Sequence, residues 1–417
     1  MRVYQETYGC TLNFGEGELL KKIAENEGHE IVGTIENADL LLLSTCTVIK
    51  STEEKMLSRL RYFLSKNKPI IVSGCMASAQ VDLIKKYAPE SFLIPPSSIQ
   101  EFSSLLRKFD YGKRNKNAIS SSQRKIEAII PISNGCISKC AYCIARIARG
   151  KLISYPIDLL KKRVLKSLEE GAKEIRLTAL DTASYGMDIG KNLYELILEI
   201  NKIEFDGRIR IGMMNPAKAI KILPLLLKIY KFEKVYKFIH LPVQSGDNSI
   251  LEKMERGYNS EDFCKIVSTL RSEIKNITLS TDVIVGFPCE GENEFDSTVK
   301  LIEKIKPDIL NIKGFSPREG TKGYKLWKAM PVKQNIIKER TRFLSSMQIG
   351  ISRKNNEKFV GTEQEVLFTE LGEKGGIKGR TNNYKVVVVE NRKDLLGKFA
   401  NVKITEARNF YLVGVAK

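Results

Sequence analysis

Residues Pro131–Gly150 read PISNGCISKCAYCIARIARG. Three of the chain's eight cysteines stand here, Cys136, Cys140 and Cys143, in a C-x3-C-x2-C array, with Tyr142 directly before the last of them. An apolar run ending in Asn134-Gly135 leads into the array, as a strand leads into a ligand loop. Three thiolates this close hold three corners of a 4Fe-4S cluster and leave the fourth iron without a protein ligand. A cluster used only to carry electrons ordinarily has four protein ligands, whereas an open iron can bind a substrate or cofactor. A structural zinc site needs four ligands, and no fourth Cys or His lies nearby in the sequence.

Downstream of Lys125, strand-like and helix-like segments alternate. The expected strands are Glu127–Ser133, Glu174–Ala179, Arg208–Met213, Phe238–Val243, Leu279–Gly286 and Ile309–Phe315, with helical patterns between them. This predicts a partial (β/α)6 barrel whose active face is the carboxyl end of its strands. Asp181, accompanied by Tyr185, falls at one such end and is a candidate catalytic and cofactor-binding carboxylate; it can equally cap the segment that follows. Gln244 and Ser245 fall at another strand end, and Gly286 in VIVGFP permits close approach of a ligand. With Tyr142 they complete the cofactor-contact candidates. Arg149, just past the cysteine loop, is a candidate contact to RNA or cofactor, or a shield for the cluster's negative charge. His240 opens HLPVQSG at a strand end, where orienting a loop is the simpler role. His29 is expected on the surface, and Cys264 and Cys289 are expected to be structural.

Residues 1 to about 90 form a shorter α/β alternation. Strands are expected at Met1–Tyr8, Ala38–Ser44 and Pro69–Ser73, and helices from Asn13, as cap, to Asn26, at Thr52–Ser65 and at Val81–Tyr87. Cys10, Cys46 and Cys75 each follow one of these strands, in YGC, STC and SGC. Loops at the carboxyl ends of parallel strands share one edge of the sheet, where ligands bind, so three cysteines distant in sequence can converge. The bland reading is three ordinary buried thiols. Pro95–Ser122 reads as a connector holding a short helix, Ile99–Phe109, and the basic KRNKN. Beyond a long basic helix, Lys333–Asn356, short β-rich runs separated by Gly and Asn predict a small β-barrel. Arg380, Asn383, Tyr384 and Lys385 share a loop there. Cations interleaved with an aromatic ring suit RNA, the cations following phosphates and the ring stacking on bases. The fold class is therefore α/β with a β appendage, in three domains: 1–110, 122–352 and 356–417.

The chain carries 68 Lys and Arg against 49 Asp and Glu, a net charge of +19. Such an excess favours a polyanionic partner. The N-terminus lacks the apolar region of a secretory signal, and the apolar run Ala38–Leu43 is too short to span a bilayer. A cytoplasmic protein with no membrane partner is expected, in which eight cysteines point to metal or catalysis before disulfides.

In order along the chain stand YGC, STC, SGC, the GC-x3-C-x-YC array, LTALDTASYG, HLPVQSGDNSILEKMERGY, STDVIVGFPCE, FSPREGT and GRTNNYKVVVV. Together they resemble the radical S-adenosylmethionine (SAM) methylthiotransferases, over nearly the whole chain. The resemblance implies two 4Fe-4S clusters, the second held by Cys10, Cys46 and Cys75, with SAM on the open iron of the first. It implies reductive cleavage of SAM to start radical chemistry, sulfur supplied at the second cluster, a methyl group from another SAM, and a C-terminal RNA-binding TRAM domain. The stretch STCTVIKSTEEKM and the motif LDTASYG resemble the type that acts on N6-threonylcarbamoyladenosine beside the tRNA anticodon. The partners implied are the tRNA anticodon stem-loop and an electron donor of unspecified identity. The alternatives are the isopentenyladenosine type, the type that modifies a ribosomal-protein aspartate, and a non-catalytic iron–sulfur RNA-binding redox sensor.

Overall fold

The computed structural model describes residues 1–109, 126–372 and 375–417. The basic KRNKN stretch and the boundary expected at 110–122 lie outside them.

The N-terminal sheet has five parallel strands, in the order Glu30–Val32, Arg2–Thr7, Leu40–Thr45, Ile70–Gly74 and Phe92–Ile94. Its middle strand is apolar without alternation and buried throughout, because helices cover both faces of a parallel sheet. The two edge strands are three residues each, too short for periodicity to reveal them. One of them changes the reading of His29. The chain turns directly into Glu30–Val32, whose first amide bonds Met1 O at 3.0 Å, and this buries His29 to 3% exposure with its Nδ1 3.3 Å from the Met1 amine. His29 is thus interior, not on the surface. Asn13 also departs from its expected role: Cys10 occupies the N-cap of the helix Thr11–Asn26, and Asn13 lies buried in the first turn.

The central domain has the six expected strands, all parallel. Arg208–Ile211, Glu174–Thr178 and Glu127–Pro131 form one sheet; Phe238–His240, Thr278–Val285 and Ile309–Gly314 form the other. A bridge between Ile209 and Val235 links them into one curved wall, the partial barrel read from the sequence. The first and last strands do not pair with each other. Unpaired strand edges must be covered, and here the helix Thr11–Asn26 packs on the first strand and Gln334–Glu357 on the last. The largest apolar core of the molecule fills the wall and its outer helices.

At the C-terminus five strands close a barrel, in the order Glu363–Leu371, Ile377–Thr381, Val386–Val389, Leu412–Ala416 and Phe399–Ala407. Ile377–Thr381 (IKGRT) is absent from the sequence reading because its glycine and charges hide it. Among the described residues no helix is long and apolar enough to cross a membrane.

Candidate functional site

The array Cys136, Cys140, Cys143 sits on the loop that leaves the first barrel strand, between Ser133–Asn134 and the helix Ile144–Arg149. This is the carboxyl end of the wall, where ligands gather. Ser133–Asn134 pairs antiparallel with Ile153–Ser154 and closes the loop into a ring. The Cys136 amide bonds Gly150 O at 3.2 Å, the Cys143 amide bonds Cys140 O at 3.2 Å, and the Ser138 amide points at Cys136 Sγ at 3.4 Å. A cavity of 590 Å³ opens beside Cys136, lined also by Ile147, Met187 and Asp188. Another, of 400 Å³, lies between the central domain and the small barrel and touches no cysteine.

One functional residue escaped the sequence reading although its motif was quoted. Arg256, in MERGY, is buried and directs Nη1 at Cys140 Sγ at 3.0 Å, with Nη2 on Pro242 O at 2.9 Å. Only a three-dimensional neighbour distinguishes it from the basic residues around it. Burial raises the pKa of the Cys136 thiol and pushes Cys143 up to about 11, each also opposed by the charge of Cys140. Hydrogen bonds from Ser138 to Cys136 and from the backbone of Ala145 and Arg146 to Cys143 offset part of that cost, since hydrogen bonds favour the thiolate.

The N-terminal trio does converge. The thiols of Cys10 and Cys75 reach Asn13 Oδ1 at 3.8 and 3.9 Å. A Cβ on Gly9 would touch Cys46 Cβ at 2.8 Å. The Asn13 amide is fixed by its Nδ2, which donates to Tyr8 O at 3.0 Å and Thr45 O at 2.8 Å. Burial pushes Cys75 up to about 12 and raises Cys46. Among the described residues no three Cys, His, Asp or Glu close on one point as a single metal ion demands. A 4Fe-4S group differs in that each cysteine holds a separate iron, and three thiols on neighbouring loops are a donor set of that chemistry.

Two arginines of the central domain clamp the N-terminal domain against this end of the wall. Arg318, after the last strand, donates to Val48 O at 3.2 Å and Glu53 Oε2 at 2.7 Å, beside the Cys46 loop. Arg149, after the first, donates from Nη2 to Asn13 Oδ1 and Glu16 Oε2, both at 2.7 Å, and from Nη1 to Asn134 Oδ1 at 3.1 Å and to Glu16 Oε1. The two cysteine trios therefore sit at the same end of the molecule, joined at both flanks.

Comparison with known proteins agrees with this arrangement. Residues 2–94 match the Uncharacterized protein family UPF0004, 130–302 the Radical SAM superfamily and 357–417 the TRAM domain. A probable threonylcarbamoyladenosine tRNA methylthiotransferase of Pyrococcus horikoshii is 40% identical over 99% of both chains. The threonylcarbamoyladenosine tRNA methylthiotransferase of Homo sapiens is 33% identical over 99% of this chain and 73% of its own. The chain belongs to the threonylcarbamoyladenosine tRNA methylthiotransferase family. Like the radical SAM methyltransferase TsrM of Kitasatospora setae, solved with cobalamin and a [4Fe-4S] cluster, this family member has a radical SAM fold; the two share a TM-score of 0.57, 12% identity, and 75% and 74% of their lengths.

Several expected contacts of this methylthiotransferase-family chain are placed elsewhere by the structure. Asp181 is 3% exposed and fully engaged: it accepts from Ser184 Oγ at 2.6 Å, Asn215 N at 2.9 Å and Ala183 N at 3.2 Å. Burial raises its pKa. It is the cap that ties two strand-end loops together, not a free catalytic group. Ser245 is fully buried under the helix Glu292–Ile305, with Thr298 Oγ1 at 3.3 Å, and so is not a cofactor contact. Gly286 has φ +74, and the space a Cβ would take is filled by Ile337 at 2.3 Å; its close approach is to a helix, not a ligand. Gln244, at φ +75, continues the wall through its amide to Asp282 O at 2.8 Å. Tyr142 lies edge-on to Phe287, ring centres 6.4 Å apart. His240 bonds Asp282 Oδ1 at 2.8 Å. Cys264 packs on the outside of the core, and Cys289 lies 3.7 Å from Met330 Sδ.

The RNA-contact candidates need the largest correction. Arg149 is 2% exposed and committed to Glu16, so it cannot meet RNA. The loop of the TRAM domain holding Arg380, Asn383, Tyr384 and Lys385 faces the amino ends of the barrel strands. Asn383 donates to Asn276 O at 3.1 Å, Lys385 to Asp308 Oδ1 at 2.7 Å, and the Tyr384 hydroxyl to Glu174 Oε1 at 3.2 Å. The Tyr384 ring lies between Tyr236 and Phe238, each 4.8 Å away, with Arg380 on it at 5.0 Å. Basic and aromatic residues interleave here to dock a domain. Tyr384→Ala is expected to weaken that junction by about 2–3 kcal/mol, measured as faster proteolytic release of the TRAM domain with the central domain still intact.

Proposed function

We propose that this chain adds a methylthio group to carbon 2 of N6-threonylcarbamoyladenosine beside the anticodon of tRNA. The observation that carries the reading is the pair of cysteine trios brought to one end of the molecule by two separate domains. One trio would suffice for SAM cleavage alone; a second at the same end of the molecule fits a reaction that also delivers sulfur. The names of the archaeal and vertebrate relatives, all covering 99% of this chain, supply the substrate.

In this reading Cys136, Cys140 and Cys143 hold a first 4Fe-4S cluster with SAM, and Cys10, Cys46 and Cys75 a second. When bound, these groups supply one-electron cleavage of SAM and the sulfur to be transferred. The chain's own residues do the rest. Arg256 supports the Cys140 thiolate, and Asp181 fixes the loops after the second and third strands. Arg149 and Arg318 close the N-terminal domain over the wall. Electrons come from a separate donor. RNA binding moves from the docked loop to the outward TRAM surface, where Lys403, Arg408, Phe410 and Tyr411 are exposed, a cationic and aromatic set suited to single-stranded RNA.

Nucleoside mass spectrometry of tRNA from a strain lacking the gene tests this. Loss of 2-methylthio-N6-threonylcarbamoyladenosine, with its unmethylthiolated precursor accumulating, is expected. Unchanged methylthio content would sink the proposal, and a mass change on a ribosomal protein instead would redirect it.

A further inference from the structure

Arg149 ends the helix that follows one cysteine trio, and its guanidinium bonds Glu16 and Asn13 beside the other trio as well as Asn134 of its own ring. Its guanidinium is completely buried, and burying a charge is costly unless it is paired. Glu16 supplies the pair, but Glu16 does not account for the whole site. Nη2 also shares Asn13 Oδ1, the atom that the Cys10 and Cys75 thiols approach at 3.8 and 3.9 Å. Arg149 Nε is buried with no hydrogen-bond partner among the described residues, a donor left over on the same guanidinium. Burial opposes the Arg149 charge, and Glu16 pairs with it.

The first trio has no need of Arg149, because Arg256 already donates to Cys140 Sγ at 3.0 Å. Each trio thus has one buried guanidinium, and the one serving the N-terminal trio is lent by the neighbouring domain. A cluster with three thiolate ligands carries net negative charge that grows on reduction. A buried cation one atom away therefore favours both its assembly and its reduced form, and charge and hydrogen bonding around the sulfurs set such potentials.

We propose that Arg149 is the charge-compensating residue of the Cys10, Cys46, Cys75 cluster, acting by its buried charge, so that this cluster attains its working potential only with the central domain docked against it. The proposal rests on the two-cluster reading above.

The test uses the full chain carrying Cys136→Ala, Cys140→Ala and Cys143→Ala, reconstituted anaerobically, so that any cluster present is the N-terminal one. Its midpoint potential is followed by electron paramagnetic resonance. Arg149→Gln should make reduction at least tenfold less favourable, a shift of about 59 mV to the negative for one electron. Glu16→Gln, which frees the guanidinium from its competing carboxylate, should shift the potential the other way, and it also serves if the Arg149 variant does not fold. Arg149→Lys, keeping the charge, should stay close to the parent. A clamp with no electrostatic role would not give opposite signs. Unchanged potentials, or shifts of the same sign in Arg149→Gln and Glu16→Gln, overturn the proposal. A parent chain that binds no cluster at all overturns instead the two-cluster reading, and the two failures are thereby told apart.

Discussion

Replacing Cys10, Cys46 and Cys75 together by alanine is expected to abolish methylthio transfer while 5′-deoxyadenosine still forms from SAM. The argument lies in how separately the two trios are built. The N-terminal trio hangs from the loops after three parallel strands of its own sheet, Arg2–Thr7, Leu40–Thr45 and Ile70–Gly74. The first cluster's cysteines hang from a ring closed by Ser133–Asn134 and Ile153–Ser154, and their cation, Arg256, comes from the central domain. Alanine removes only a thiol at each position, and the apolar cores on the two faces of the N-terminal sheet are untouched. Iron after anaerobic reconstitution should fall from about eight to about four per chain. 5′-Deoxyadenosine should persist at a rate within about tenfold of the parent, a barrier change of about 1.4 kcal/mol, and methylthiolated nucleoside should be undetectable by mass spectrometry. Persistent methylthiolation would remove the trio from the sulfur-delivering role. Loss of 5′-deoxyadenosine would show that the first site depends on the second.

How much of this was legible beforehand varied with the range of the interaction. The strands before Cys10, Cys46 and Cys75 could be read from local apolar runs, and parallel strands put their carboxyl ends on one edge whatever the side chains, so that these three could meet was legible; Cys136, Cys140 and Cys143 stood out by their spacing alone. The barrel wall was read equally well, because its strands carry short runs rich in Ile, Leu and Val even where charges alternate with them, as in Arg208–Ile211. What failed was every assignment that needed a partner from far along the chain. Arg149 looks like a free cation until Glu16, 133 positions away, closes on it. Tyr384 and Lys385 carry the residue types of an RNA loop, and only the presence of Glu174 and Asp308 beneath them makes them a domain junction. Gly286 reads as ligand space until Ile337 fills it. Arg256 was invisible for the converse reason: nothing local marks it, and its significance is entirely the sulfur it meets. In each case the residue's chemistry was right and its neighbour was wrong, because a basic or small residue offers the same hydrogen bonds or the same space to nucleic acid, cofactor or protein.

Gly135→Ala is expected to do the reverse of the cysteine substitutions, ending 5′-deoxyadenosine formation while leaving the N-terminal trio able to hold iron. Gly135 has φ +70, and a Cβ built on it lies 1.8 Å from Lys151 O, 2.5 Å from Lys151 C and 2.9 Å from Gly150 O. All three are backbone atoms, so no flexible side chain can give way. They also belong to the return arm of the ring, whose Gly150 carbonyl accepts the Cys136 amide at 3.2 Å. Relief of the clash must open the ring between Cys136 and Gly150 and turn the first ligand away from the other two. The left-handed conformation alone costs a non-glycine residue about 1–2 kcal/mol, and a backbone clash of this kind falls in the exceptional class above about 4 kcal/mol. Gly190→Ala is the matched control: its φ is +66, but nothing lies within 4 Å of the added carbon, so it bears the conformational cost without the collision. Gly190→Ala should keep both clusters and 5′-deoxyadenosine formation. Gly135→Ala should retain about four irons per chain, all removed by further substitution of Cys10, Cys46 and Cys75, and should yield no 5′-deoxyadenosine. Equal behaviour of the two glycine variants would show that the ring between Cys136 and Gly150 is not what orients the first cluster's ligands.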